Sequence, residues 1–219
     1  MARDNSYSGS PEKRTELRLI ICEGHSDKNV IAALMKEHNL GGIQIHIAKG
    51  RDNFTDALRG ARTQGYKAVL VVSDNDDDSA AAFTTVRDHI VDAGFSPPDT
   101  PRQTVAATAE NPSLAVLMIP WDGISGAIET LCLPAVEKLF ADKVACLDAF
   151  CECTKVDQYW GVTKRSEMRV ECLLACTQQS EPKIGLGHFV SRNACPLAFG
   201  HDCFANVSAF LAEFSKCPV

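Results

Sequence analysis

The run Ala68-Val69-Leu70-Val71-Val72-Ser73 is apolar and β-prone, and it stops at Asp74-Asn75-Asp76. A strand with one wet face would alternate apolar and polar residues. An uninterrupted apolar strand has both faces covered, which is the habit of parallel sheets sandwiched between helices. The acids that follow then stand at the mouth of a buried strand. Carboxylates at i and i+2 there form a hard-cation site.

The rest of the first two thirds repeats the same unit. Leu17–Cys22 reads as strand one, running into Glu23-Gly24-His25-Ser26-Asp27. Ser26 is placed to cap a helix over about 27–38, whose apolar face carries Val30, Ile31, Leu34 and Met35. Gly41-Gly42 closes that unit. Ile43–Ile47 alternates and reads as strand two. The loop Lys49-Gly50-Arg51-Asp52-Asn53 leads to a helix over about 54–63. After Ala68–Ser73 come a helix over about 80–93, a Pro-rich loop at 96–101, and a short strand at Val105–Ala107 pairing antiparallel with the next strand. Strand four covers 114–120. A helix opens at Ser125-Gly126 and carries Leu131, Leu133, Val136, Leu139 and Phe140, with Pro134 placed to kink or split it. From 142 onward helical pattern dominates, over 143–153, 167–178 and 206–214.

Strand–helix alternation over 17–140 predicts an α/β fold. Its mostly parallel four-stranded sheet is flanked by helices and followed by a helical C-terminal part. The expected organisation is a disordered lead-in at 1–15, an α/β core at 16–141 and a helical extension at 142–219 packed on the core. Ligands of such sheets sit outside the carboxyl ends of the strands. Glu23, Asp74 and Asp76 fall at that edge.

Glu23 precedes a glycine, which lets backbone or substrate come close. Asp27, four residues on, either caps the helix or joins the site. Asp74, Asp76, Asp77 and Asp78 crowd one loop, where like charges repel unless they are solvated or bind a metal. A solvated acidic turn capping the next helix is the plainer alternative; the buried strand ahead of it favours an ion. Carboxylates with waters suit Mg²⁺ or Mn²⁺. Glu129 lies in the first turn of the helix after strand four. The helix dipole favours an acid there, and the other acids make it a candidate further ligand. Among basic residues, Lys49 and Arg51 lie on the same edge, while Lys164, Arg165 and Lys183 fall in the C-terminal third. Each is either a phosphate contact or ordinary surface. His25 either orients Glu23, binds substrate or is simply an exposed loop residue.

A net charge of −6 argues against a protein that merely coats nucleic acid, though divalent ions offset acids at an enzyme site. The ten cysteines form no pair of C-x-x-C knuckles, so reduced, mostly buried structural thiols are expected, Cys151 and Cys153 among them. No stretch approaches the roughly 20 apolar residues of a membrane span, and the polar N-terminus lacks a secretory h-region. The expected setting is cytoplasmic, without a membrane; a homo-oligomer is compatible with it.

Glu23-Gly24-x-x-Asp27 after one strand, Asp74-x-Asp76 after another and Glu129 after a fourth resemble the Toprim domain of topoisomerases, bacterial primases and OLD-family nucleases. The pattern is most similar to stand-alone Toprim-like proteins of the DUF3226 group. There Ile-Cys-Glu-Gly-His-Ser-Asp, Val-Val-Ser-Asp-Asn-Asp, Ile-Pro-Trp-Asp-Gly and Ile-Glu-Thr-Leu-Cys-Leu-Pro occur in the same order, and the ending from Asp202 to Leu211 is also similar. The resemblance covers most of 17–215. It implies a Rossmann-like Toprim core in which Glu23 is acid/base or ligand, Asp74 and Asp76 hold Mg²⁺, and Glu129 completes a second metal site. The implied activity is metal-dependent cleavage of DNA or RNA phosphodiesters. OLD-like modules are coupled to an ABC-type ATPase; this chain has no Gly-x-x-x-x-Gly-Lys-Ser/Thr loop, so an ATPase would be a separate subunit. The implied setting is bacterial defence or a toxin–antitoxin pair. A catalytically silent Toprim-fold regulatory subunit is the alternative, and a phosphatase is a third reading. Strand one ends in Glu23-Gly24 rather than in the Asp-x-Asp of haloacid-dehalogenase-type phosphatases.

Overall fold

A computed structural model describes residues 17–176, 183–192 and 194–218, the side chain of Asp157 excepted. The lead-in at 1–15 and the end of the helix expected over 167–178 lie outside the described residues. Four strands, β1 (Arg18–Cys22), β2 (Ile43–Ile47), β3 (Ala68–Asp74) and β4 (Ser113–Ile119), form one sheet in the order β2-β1-β3-β4. Every neighbouring pair is parallel, in a register that matches Cys22 to Ile47 and to Val72, and Asp74 to Ile119. Val105 makes an antiparallel bridge to Leu114 at the far edge, the pairing expected there, but no strand extends from it.

Alternation of side chains splits the buried strands between two cores. Ile20, Cys22, Leu70, Val72, Leu117 and Ile119 face α1 (His25–Glu37) and α4 (Ile128–Leu139). Leu19, Ile21, Val69, Val71, Val116 and Met118 face α2 (Phe54–Thr63) and α3 (Ser79–Asp92). Each fully buried Val, Ile or Leu contributes about 1.5–3 kcal/mol. Moving β3 by one residue would exchange the side chains packed into its two cores. The edge strand β2 is covered less, and its Gln44 and His46 are exposed, which explains its alternating sequence.

The C-terminal helices all join the first core: α5 (Ala141–Thr154) through Leu147 and Cys151, and α6 (Val162–Ala175) through Val170, Leu173 and Leu174. So do α7 (Leu186–Val190) through Phe189, and α8 (Ala205–Phe214) through Val207, Phe210 and Leu211. Arg169 of α6 ties them to the sheet layer by pairing with Glu137 of α4 and Asp148 of α5 at 2.6 and 2.8 Å.

Four local expectations need correction. Ser26 is not the cap of α1; Gly24 is, and Asp27 accepts its backbone N–H at 2.8 Å. The fourth helix opens at Ile128 rather than Ser125, because Gly126 sits at φ +133° and donates its N–H to the Asp76 carbonyl. A side chain at Gly126 would also strike Thr130. Pro134 does not split that helix. All ten cysteines are free thiols, but only Cys22, Cys132 and Cys151 are buried; Cys146, Cys153 and Cys176 are exposed.

From β1 the chain passes outward to β2, then crosses back to β3 on the other side of β1. The strand order therefore reverses between β1 and β3. The crevice beyond their carboxyl ends is where open parallel sheets bind ligands.

Candidate metal centre

Glu23 is locked into that crevice by its backbone. Its N–H reaches the Val72 carbonyl at 3.2 Å, and its own carbonyl accepts from Gly50 at 3.0 Å. The side chain, a quarter exposed, accepts at Oε2 from Ser73 Oγ at 2.7 Å and from Arg51 Nε and Nη2, both at 3.3 Å. Ser73 and Arg51 thus fix one carboxylate oxygen, which orients the other.

Arg51 arrives from the β2 loop through an unusual backbone. Lys49 sits at φ +65° and Gly50 at φ +115°, and only the second is easy for its residue type. The turn throws Arg51 inward, where it begins a short 3₁₀ turn over Arg51–Asn53. Its side chain is 15% exposed, and the guanidinium reaches Ser73 Oγ at 3.0 Å, the Asp74 carbonyl at 2.8 Å and Asp76 Oδ2 at 2.9 Å, in addition to Glu23.

The four aspartates after β3 do four different things. Asp74 closes the strand, and its Oδ1 is shut off from solvent without a hydrogen-bond partner. Burial pushes its carboxyl well above the usual range, and Asp27, Glu23, Glu129 and Asp76 add to the rise. Asp76, in the left-handed region at φ +52°, is half exposed and pairs with Arg51. Asp77 turns away and accepts the Thr163 N–H at 3.0 Å in the first turn of α6. Asp78 caps α3, accepting from Ala80 and Ala81 at 3.1 and 3.0 Å.

Asn75, between the two site acids, faces the interior. It is 1% exposed and donates through Nδ2 to the carbonyls of Trp121 and Ile124, both at 2.7 Å. With the Gly126–Asp76 contact, this clamps the acid loop to the loop after β4. Neither Asn75 nor Ser73 stood out in the sequence. The usable signal was the i, i+2 spacing itself, since a residue between two outward acids points inward.

Asp27 is 4% exposed; its Oδ2 caps Gly24 and its Oδ1 is buried without a partner. Burial raises it to about 6, opposed by the Gly24 hydrogen bond and helped by Glu23. Glu129 lies in the first turn of α4 and is raised to about 7, first by burial and then by Asp27, Glu167 and Glu171. A carboxyl in that range exchanges protons near neutrality.

The remaining candidates lie further out. His25 is exposed at the start of α1, and Lys49 is exposed on its turn. Lys164 is exposed on α6 in a cleft of about 410 Å³ shared with Trp160, Glu167 and Glu171, the glutamates that act on Glu129. Lys183 is exposed on the segment leading into α7.

Six of the residues singled out by sequence are therefore gathered: Glu23, Arg51, Asp74 and Asp76 in contact, with Asp27 and Glu129 in electrostatic reach. Among the described residues, no three Asp, Glu, His or Cys side chains already converge as an ion cage. The donor chemistry nevertheless suits a hard divalent cation. Two carboxylate oxygens of this group, on Asp27 and Asp74, are buried without partners, and neighbouring acids add to the rise at Asp74.

A family model described as a protein of unknown function (DUF3226) matches residues 17–215. No curated protein and no solved structure matches the chain. Among the described residues, no helix is long and apolar enough to cross a membrane. The chain belongs to the DUF3226 family.

Proposed function

We propose that this DUF3226 protein is a Mg²⁺- or Mn²⁺-dependent nuclease of the Toprim-like type, hydrolysing DNA or RNA phosphodiesters. The observation that carries the reading is the pair of buried, partnerless carboxylate oxygens on Asp27 and Asp74, at the point where the strand order reverses. Burying a charged oxygen without a partner costs several kcal/mol, and a bound cation removes that cost.

Asp74 and Asp76 would hold the ion, with Asp27, Glu23 and Glu129 available to the same ion or a second. When bound, the metal supplies charge stabilisation on the phosphate oxygens and lowers the pKa of its water. The protein's own groups do the rest. Glu23, oriented through Oε2 by Ser73, can take a proton at its other oxygen. Arg51 presents a fork suited to two phosphate oxygens. In the metal-free protein Glu129, raised to about 7, keeps its proton for part of the time at neutral pH, and an ion bound there would release it. Asn75 keeps the acid loop from shifting, which matters because small misplacements of reacting groups are costly.

By the Toprim-like resemblance, a separate ABC-type ATPase is the proposed partner and bacterial defence or a toxin system the proposed setting. The second reading, a silent regulatory subunit, has its own support: Arg51 already neutralises Glu23 and Asp76. Incubating the purified protein with plasmid, single-stranded DNA and tRNA, with Mg²⁺, with Mn²⁺ and with EDTA, separates the two. The nuclease reading expects metal-dependent cleavage that is lost in Glu23→Gln. Cleavage that survives EDTA, or that Glu23→Gln leaves unchanged, contradicts it.

A further inference from the structure

We propose that Arg51 is a resident counter-cation that competes with the divalent ion for Glu23 and Asp76, so that loading the metal requires the guanidinium to let go. The inference rests on the metal-centre reading and goes beyond it by assigning what holds the site before the ion arrives.

The acids divide by their contact with one side chain. Those whose carboxylates Arg51 reaches, Glu23 at 3.3 Å and Asp76 at 2.9 Å, are paired. Asp27 and Asp74 instead keep buried oxygens without partners. Among the described residues no three such side chains converge as a ready-made cage. A guanidinium and a divalent cation cannot share the same two carboxylates without repelling each other at short range.

The loop is built to hold Arg51 in place. Its guanidinium is largely buried and also donates to Ser73 Oγ and the Asp74 carbonyl. It gets there through Lys49 at φ +65°, a conformation that costs a non-glycine residue energy. A surface arginine in casual contact would need neither feature. Once displaced, the fork is free to pair with an anionic phosphate, for which its planar geometry is suited. The site would then exchange an internal cation for metal and substrate together.

The test is calorimetric titration of Mg²⁺ and Mn²⁺ into the full chain as wild type, Arg51→Ala and Arg51→Lys, with melting temperatures taken in EDTA and in metal. Competition predicts metal affinity about tenfold tighter in Arg51→Ala, the scale of losing one charge-assisted partner. It also predicts a smaller gain in Arg51→Lys, which keeps the charge but not the fork. Melting in EDTA should fall in Arg51→Ala while the rise on adding metal grows. Equal or weaker affinity in the variants overturns the proposal and leaves the metal centre standing. If Arg51→Ala does not fold, unchanged affinity in Arg51→Lys overturns it in the same way. If neither wild type nor variants bind metal, both the proposal and the reading beneath it fail.

Discussion

Glu129→Gln isolates the electrostatic cost of the acid edge. The substitution keeps size and shape and removes only the charge. In the folded protein the Glu129 carboxyl is held at about 7 by burial and by Asp27, Glu167 and Glu171, against an ordinary value of 4.5. Below about pH 4.5 the group is protonated whether folded or not, and the substitution should change little. As pH rises toward 7, the unfolded chain has lost a proton that the folded chain still keeps. Wild-type stability therefore falls across that window and levels off above it. The full difference is about 3 kcal/mol, from 1.36 kcal/mol for each pH unit between the two values. For a chain of this size that corresponds to a rise of about 6–12 °C in Tm for Glu129→Gln at pH 8 in EDTA. Urea denaturation of both proteins at pH 4.5 and pH 8 reads it. Adding saturating Mg²⁺ at pH 8 should close the gap, because an ion favours the carboxylate and gains less from an amide. Equal stability at pH 8, or a variant less stable there, would refute the reasoning.

Two further substitutions probe groups that the site does not need. Asp78→Ala should cost about 1 kcal/mol in urea denaturation by removing the α3 cap, while metal affinity in calorimetry stays that of the wild type. A loss of metal affinity would put Asp78 back among the ligands. Arg169→Ala should cost about 1.5–3 kcal/mol, since it breaks a charged clip joining α4, α5 and α6, and an unchanged denaturation midpoint would count against that clip.

The parallel sheet could be read from sequence because its strands carry an unambiguous pattern. Ala68–Ser73 is apolar on both faces, and the structure buries both. Ile43–Ile47 alternates, and it is an edge strand with exposed Gln44 and His46. Boundaries slipped where a loop contact overrode helix propensity, as at Ser125-Gly126, which the Asp76 carbonyl holds out of α4. The five-residue α7 is too short for a 3.6-residue period to show. At the site, sequence placed the acids along one edge but could not divide their labour. The run after β3 reads as one acidic cluster, yet Asp77 and Asp78 serve the starts of α6 and α3. Arg51 read as a surface or substrate-facing cation. Nothing local says that the turn at Lys49-Gly50 aims it inward onto Glu23 and Asp76, because that depends on strands paired across the sheet. Asn75 escaped notice for a related reason: its partners, Trp121 and Ile124, are distant in sequence.

The central claim is that the crevice between β1 and β3 is a divalent-cation site. Isothermal titration of Mg²⁺ and Mn²⁺ into wild type and the Asp74→Ala/Asp76→Ala double variant tests it most directly, with circular dichroism to establish that both are folded. The expected results are stoichiometric binding to wild type, its loss in the double variant, and a variant fold that in EDTA is as stable as wild type or more so, because relief of buried like charge at Asp74 offsets the lost Arg51–Asp76 pair. No heat of binding to folded wild type, or the same affinity in both proteins, would contradict it.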